Sequence, residues 1–574
     1  MTLDKKIKIS LATTSDREDI YKIRHNVFAS ELKQHHENEQ GSISDQLDKF
    51  NTYLIATINQ EIIGFISITP PDGGIYSIDK YIKRAELPFA VDNGLYEMRI
   101  LTVLKEHRNT PAALLLMWAA FRWIEAHGGS NIMAIGRIEI LELYLKLGFM
   151  AMGHKIQSGS VTFELLFGNV NSLNDHIANN YKPLFSKLFK NCIWDLGISF
   201  FKPSECYHGG DFFQAIGTEF DDLSRRNQII NADVLDAWFP PSPKILKELE
   251  TNLSWICKTS PPTDCNGMTN TIARFRGVQP ENILPGAGSS DLIFQAFRAW
   301  LTSRSRVLIL DPSYGEYPHV LENIIGCHVD RLELLKEEGY IVDLDRLIAL
   351  SKNSYDLIVL VNPNSPTGQH IDRKELEAVI DLIPHNTRIW IDETYIEYVG
   401  QAQSLEKYAA KRSNVIVCKS MSKVYALSGL RSAYLCASPY QLENLRSITP
   451  PWAVSLPSQI AAVIALQDDQ YYLNCYQQTH ILREELVQEL SEINGLNPVK
   501  TNTNFFLCQL PSDGPDAKTV VQKCREKGLY LRNASNMGKQ IGDYTIRIAV
   551  KDRETNRKMV NILKEVLLDK NLRT

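Results

Sequence analysis

Two lysines, three serines and an arginine crowd the stretch "CKSMSKVYALSGLR" (418–431), directly after the apolar segment 414–417. A lysine amine that forms a Schiff base must be reachable yet partly desolvated, so that its neutral form is available, and the end of a buried strand at a cleft supplies both conditions. By residue type either Lys419 or Lys423 could serve, and an ordinary solvated charge is the alternative for each. Three earlier stretches carry comparable chemistry. In "LPGAGSSDLIFQAFRAW" (284–300) a glycine-rich turn runs into a helix with Ser289, Ser290 and Asp291 at its start. Free N–H groups there suit a phosphate, although serine and aspartate are also ordinary caps. "DPSYGEYPHV" (311–320) offers Tyr314 as a ring to stack on a flat ligand or as a core tyrosine. "IWIDETYIEY" (389–398) places Asp392 and Glu393 at the end of an apolar strand, where a carboxylate is costly without a cationic partner.

The elements that must position these groups are short apolar runs with helical stretches between them: "RVLIL" at 306, "DLIVLVN" at 356, "RIWIDE" at 388 and "NVIVCKS" at 414. β-Branched runs apolar on both faces read as buried parallel strands in a βαβ architecture, and ligands collect where such strands end. "VNPNSPTGQHI" (361–371) adds a turn and a helix start after the second of them. A phosphate seat, a stacking ring, a carboxylate for a ring nitrogen and a lysine on consecutive strand ends are the parts of a pyridoxal phosphate site.

On "GAGSSDLI", "PSYGEY", "NPNSPTG", "IDETYIEY", "SMSKVYALSGLR" and "YTIRIAV", residues 231–574 resemble the fold-type I, class I/II aminotransferases, in the branch of histidinol-phosphate aminotransferases and threonine-phosphate decarboxylases. The resemblance implies a large three-layer αβα domain with a mostly parallel sheet, a small C-terminal α/β domain, and a homodimer. It makes Lys423 the Schiff-base lysine and leaves Lys419 a bystander. Asp392 pairs with the pyridine nitrogen, Tyr395 hydrogen-bonds the ring's 3-oxygen, and Tyr314 stacks on the ring. Ser289, Ser290, Ser420, Ser422 and Arg431 hold the phosphate, the arginine by a charge-assisted fork. Arg547 receives the substrate's anionic group, with Arg532 as a second anion contact or a surface arginine.

Three departures from the family's pattern bear on the cofactor and the substrate. Ser365 stands where relatives usually carry an asparagine that contacts the 3-oxygen. "DVLDAWFPPSP" (233–243) replaces an asparagine-containing loop that commonly covers the substrate, and "TSPPTDCNG" (259–267) lacks the tyrosine that relatives often lend to the partner's phosphate site.

Residues 1–168 alternate strand-like runs ("TYLIATI", "EIIGFISI", "VTFELLF") with helical ones, notably "PAALLLMWAAFRWIEAHGG", which starts on a proline and stops at a Gly-Gly pair. With "EMRILTVLKEHRNTPAALLLMWAA" and "LELYLKLGF" they resemble the GNAT acyltransferases. That resemblance implies acetyl-CoA or another acyl-CoA as co-substrate, gripped around Val103, Arg108, Ala112 and Ala113, with Glu97 as general base and Tyr144 protonating the leaving thiolate. The family's glycine-rich turn reads Arg108-Asn109-Thr110-Pro111-Ala112-Ala113 here, which loses a donor at Pro111 and the close approach that glycine permits.

Residues 169–230, aromatic-rich and free of Gly/Ser or Pro-rich low complexity, read as an ordered connector. At 574 residues, about three structural units are expected. A net charge of −5 with 22% charged residues offers no global attraction to nucleic acid or anionic membrane. No apolar run approaches the roughly 18 residues needed to span a bilayer, and no signal-peptide h-region follows the N-terminus, so a cytoplasmic protein acting on small molecules is expected. Ten cysteines without a C-x-x-C pair argue against a zinc ribbon or a redox dithiol, and Cys206 beside His208 is too small a cluster for a metal. No internal repeat is visible. The expected function is transamination of a small amino acid or amino phosphate joined to N-acyl transfer on a related metabolite. The rivals are a decarboxylase or other pyridoxal phosphate reaction with a degenerate GNAT domain, and a non-catalytic regulatory or scaffolding protein.

Overall fold

The computed structural model describes residues 6–159, 161–181, 192–198, 206 and 208–568. The chain divides into two compact units, Met1–Lys202 and Pro203–Thr574.

The first unit is built on one eight-stranded sheet. Its strands are β1 (Ile7–Leu11), β2 (Thr52–Ile58), β3 (Glu61–Thr69), β4 (Leu95–Val103), β5 (Asn131–Arg137), β6 (Met150–Ser158), β7 (Val161–Asn169) and β8 (Cys192–Asp195), in the order β6-β7-β5-β4-β3-β2-β1-β8. Only β4/β5 and β1/β8 pair in parallel. The apolar helix Ala112–Ala126 buries Leu115, Leu116, Ala119, Ala120 and Trp123 in the core over β2, β3 and β4. Its proline falls at the N-cap rather than inside the first turn, because Pro111 (ψ 8°) has left the helical range. Two irregularities open the sheet at its centre. The β3/β4 register shifts between Phe65 and Ser67, with Ile100 in the left-handed region (φ +55°). The β4/β5 ladder runs only from Leu95/Asn131 to Met98/Ala134, so the two strands part over their last residues.

The second unit holds β9 (Ile230–Asn231), β10 (Ile283–Gly286), β11 (Arg306–Asp311), β12 (His328–Glu333), β13 (Leu357–Val361), β14 (Arg388–Asp392), β15 (Val415–Ser420) and β16 (Ala433–Ala437). Beyond them lie β17 (Asn497–Pro498), β18 (Phe505–Gln509), β19 (Leu529–Tyr530), β20 (Arg532–Asn533) and β21 (Thr545–Ala549). Strands β10 to β16 form a seven-stranded sheet, β10-β16-β15-β14-β13-β11-β12, parallel from β12 through β15 and antiparallel at β16 and β10. The four apolar runs read from the sequence are β11, β13, β14 and β15, and their residues from Leu357 to Val361 and from Val415 to Ser420 are buried on both faces. Helices cover both faces: the Ser289–Trp300 helix on one, with Leu292, Ile293, Ala296 and Phe297 inward, and the Asn266–Arg276 and Arg373–Leu382 helices in the core on the other. A four-stranded antiparallel sheet, β17-β18-β21-β20, makes the smaller C-terminal layer.

Of the stretch 169–230, the helix Val170–Asn180 and β8 lie in the first unit, and Cys206 and residues 208–230 in the second. Its residues 182–191, 199–205 and 207 lie outside the described residues.

Candidate active site

In the second unit, β14 and β15 are parallel neighbours with Asp392 in register with Cys418. Asp392 ends its strand buried. One carboxylate oxygen accepts from Thr394 N (2.9 Å) and Thr394 Oγ1 (2.6 Å), the other from the Tyr317 hydroxyl (2.7 Å), which itself accepts from Trp390 Nε1 (2.9 Å). All these donors are neutral, and desolvation raises the Asp392 pKa.

Lys423 lies one short helical turn beyond β15, in Met421–Val424, capped by Ser420 Oγ on Ser422 N. The loop is fixed by hydroxyls from elsewhere: Tyr398 OH donates to Lys423 O (3.2 Å), Tyr476 OH to Val424 O (2.8 Å) and Tyr472 OH to Tyr425 O (3.2 Å). The Lys423 side chain is 19% exposed and its Nζ meets Asp236 Oδ1 at 2.7 Å. Lys551 donates from Nζ to Asp236 O (3.4 Å), and burial lowers its pKa to about 8.

Lys419 is placed very differently. It is 1% exposed, 2.8 Å from Glu397 and 3.5 Å from Glu393. Arg276 joins the same buried cluster, bonded to Glu397 (2.8 Å), Tyr425 OH (3.0 Å) and Tyr434 OH (2.9 Å), while Tyr434 OH donates to Glu406 (2.7 Å). The residue read as a bystander is thus the counter-charge for the carboxylates behind the strand. Burial pushes Glu393 up to about 7, against the pull of Lys419.

Ser289 and Ser290 open the Ser289–Trp300 helix after Gly288 (φ +97°), and a Cβ on Gly288 would lie 2.5 Å from Arg431 Nη2, so glycine is required where the guanidinium crosses the helix start. Arg431 and the helix N-terminus therefore converge on one place. Ser290 Oγ, however, donates to Glu316 Oε2 (2.8 Å), which also accepts from Tyr314 OH (2.7 Å) and lies 3.4 Å from His208 Nε2. Contact with Cys206 and then with Glu316 pushes the His208 imidazole up to about 10. Tyr314 is flanked edge-on by Tyr317 and His208, with centroids 5.8 and 5.7 Å away. Ser365 and Ser422 are buried, and Tyr395 packs against Phe505 at 4.9 Å with its hydroxyl pKa raised by desolvation.

Arg532 and Arg547 face one another across β20 and β21. Arg547 donates from Nη2 to Asp233 O (3.0 Å) and lies 5.9 Å from the Phe505 ring, and burial lowers its pKa to about 10. Arg532 Nη1 lies 3.7 Å from Asp233 Oδ1. Both arginines and Tyr314 line a cavity of about 1130 Å³ that His208, Arg331 and Arg525 also border. Sequence reasoning missed Glu316, Asp233, Tyr317 and Lys551, and weighed His208 only as a metal ligand. Glu316 carried a signal, a carboxylate five residues beyond a buried strand; Asp233 carried none. Among the described residues no group of three or more His, Cys, Asp or Glu is placed to hold a metal ion.

In the first unit, Arg108 is held in a two-pronged bridge to Glu31 (2.5 and 2.8 Å) and donates from Nε to Val103 O (3.2 Å). Ala112 N meets Thr110 Oγ1 at 3.4 Å, and Ala113 follows in the helix. Glu97 is fully buried and accepts from Ser77 N (2.8 Å) and Ser77 Oγ, with its pKa raised by burial. Tyr144 is buried against Phe149, its hydroxyl pushed up to about 12.

A buried carboxylate that meets neutral donors alone, beside a strand end bearing a reachable amine and near a helix start crossed by an arginine, defines the chemistry of a class that binds a cationic heterocycle with an anionic tail. Residues 233–563 match the family model of aminotransferase class I and II, more than half of the chain, and the chain belongs to that family; residues 17–149 match the model of the acetyltransferase (GNAT) family. Among its relatives, histidinol-phosphate aminotransferase 2 of Archaeoglobus fulgidus is 28% identical over 339 residues, which cover 59% of this chain and 93% of that protein. Two solved structures share the fold at 22% identity. Histidinol-phosphate aminotransferase from Sinorhizobium meliloti, in complex with pyridoxal-5'-phosphate, has a TM-score of 0.54 over 58% of this chain and 90% of its own. L-threonine-O-3-phosphate decarboxylase from Porphyromonas gingivalis has a TM-score of 0.52 over 59% and 99%.

Proposed function

We propose that the second unit catalyses pyridoxal phosphate-dependent transamination of a small amino acid or amino phosphate. The observation that carries this reading is Asp392: a buried carboxylate with only neutral donors calls for a cation, and a protonated ring nitrogen supplies it. The other groups fit the same ligand. Arg431 and the Ser289–Trp300 helix start are suited to its phosphate, with Ser420 and Ser422 close in the chain, and Tyr314 to its face. When bound, the cofactor supplies an electron sink for the bonding pair left at the substrate's Cα. Tyr317 keeps Asp392 oriented. Lys423 Nζ, reachable and paired to Asp236, would take the proton from Cα, with Asp236 holding the resulting ammonium until the proton is given up again. Arg547 orients the substrate by its anionic group. The reading extends to a homodimeric cytoplasmic enzyme.

Reconstitution of the full chain with pyridoxal phosphate, followed by a panel of amino acids and amino phosphates, tests it. The expected result is conversion of the bound cofactor to its amine form with release of a ketone or keto acid. A colourless protein, or carbon dioxide released in place of a keto product, overturns it; the second outcome moves the assignment to decarboxylation.

For the first unit the reading is acyl-CoA-dependent N-acyl transfer to a related metabolite, supported by the GNAT match and by the parting of β4 and β5. A second reading, a GNAT unit that does not turn over, is favoured by the Glu31–Arg108 bridge and the sealed Glu97. Release of free CoA from acetyl-CoA by the full chain across a panel of amine acceptors separates the two.

A further inference from the structure

The family match begins at residue 233, yet the wall of the cavity that Tyr314, Arg532 and Arg547 line begins earlier. Residues Cys206 and His208 to Asp211 cross the site as a strap. His208 packs edge-on against Tyr314, Gly210 N donates to Asp233 Oδ2 (3.0 Å), and Asp211 is bridged to Arg525 at 2.5 Å. The fit at Asp233 is close. A Cβ on Gly209 would lie 2.5 Å from Asp233 Oδ2, and Gly209 and Gly210 take φ of +89° and +97°. The strap thus holds one carboxylate, 2% exposed, against the pair of arginines.

The arginines that line the cavity are paired with one exception, and the exposed Lys518 in the same wall has no carboxylate within 4 Å among the described residues. Arg331 meets Glu322 at 2.9 Å, Arg525 meets Asp211, and Arg532 faces Asp233. His208 and Glu316 compensate each other, Asp236 pairs with Lys423, and Lys551 meets the Asp236 backbone oxygen. Arg547 has no carboxylate within 4 Å among the described residues, and its Nε is buried without a partner. Burial lowers its pKa, the response expected of a cation lacking its counter-charge.

We infer that Asp233, fixed by the strap, is a specificity-determining residue: by cancelling Arg532 it leaves Arg547 as the single uncompensated guanidinium, so the site takes an amino acid through one singly charged carboxylate and disfavours a phosphate monoester. Asp233 does not line the cavity, and it acts through Arg532 as a positioning residue. A dianion placed there would add a second negative charge beside Asp233 with no second unpaired guanidinium to meet it. The inference rests on the transaminase reading and narrows its substrate from two classes to one.

The test compares L-histidine with L-histidinol phosphate, which share a side chain and differ in the anion, within a wider panel of amino acids and amino phosphates on the reconstituted full chain. In parallel, acetate and methyl phosphate are titrated by calorimetry, which needs no turnover. Wild type is expected to favour the carboxylate of each pair by at least roughly tenfold, and Asp233→Asn to shrink or reverse that ratio by about the same factor, the loss of one neighbouring charge. The charge-conserving double variant Asp233→Asn with Arg532→Gln is expected to restore the wild-type ratio to within about threefold. Equal handling of phosphate and carboxylate by wild type, or the same ratio in wild type and Asp233→Asn, overturns the inference. Should Asp233→Asn fail to fold, the wild-type ratio and the double variant decide it. Absence of conversion with every amine overturns the transaminase reading, while the calorimetric ratio still decides the charge rule.

Discussion

The two units differ in the charges they leave without a partner. In the second, Lys423 is reachable although paired with Asp236, Arg431 lies at a helix start, and the buried carboxylate Asp392 meets only neutral donors. In the first, the corresponding groups are already satisfied: Arg108 is spent on Glu31, and Glu97 is enclosed with Ser77. An incomplete charge set in a folded protein is costly to keep, and it persists where a ligand completes it. By that measure the second unit is prepared for a ligand, and the first has supplied its own.

The largest effect expected from this contrast is at Lys423. Lys423→Ala should lower transamination by about 10⁴-fold and abolish the absorbance of covalently bound cofactor without loosening the fold. Rates and absorbance spectra of reconstituted wild type and variant measure it, and an active Lys423→Ala enzyme would erase the contrast. Lys419→Met, four residues earlier, should act on stability instead. It leaves Glu393, Glu397 and Glu406 with Arg276 alone as a buried counter-charge, at about 3–5 kcal/mol in denaturant unfolding.

A third test is pH. Glu393 has a folded-state pKa of about 7, above its unfolded value near 4.5, so its contribution to stability is complete below about 4.5 and is lost as pH rises through about 7. Glu393→Gln should therefore gain on wild type by up to about 3 kcal/mol between pH 5 and 8. Unfolding curves across that range would show parallel pH profiles if the carboxyl were not held protonated. The smallest expected effect lies in the first unit: Glu31→Gln should tighten acetyl-CoA binding about tenfold by freeing Arg108. Tight binding by wild type, unchanged in the variant, would remove the difference between the units.

The strands of the large sheet were legible because β11, β13, β14 and β15 are short β-branched runs, and their ends could be searched for polar residues. Asp392 and the pair Lys419 and Lys423 were singled out in that way, and the choice of Lys423 over Lys419 came from the resemblance to the aminotransferases. The buried ion pairs of Lys419 were not legible because its partners Glu393 and Glu397 lie on other elements and Arg276, in the same cluster, stands more than a hundred residues away; nothing local distinguishes a buried lysine from a solvated one. Asp233 escaped for the same reason, since its meaning depends on Arg532 three hundred residues later and on a glycine pair before the domain. In the first unit the missing glycine at Pro111 was visible, whereas the Glu31–Arg108 bridge was not. Spacing reports what a chain segment can offer, and only the fold reports whether the offer has been taken up.

The strap also changes where this chain can be cut. Trimming to the family boundary at residue 233 would remove Cys206, His208 and Gly210, and with them the ring against Tyr314 and the donor to Asp233. An excised aminotransferase beginning there would be a different catalyst rather than a smaller one, and a transplant of this module into another fusion has to carry its leader with it.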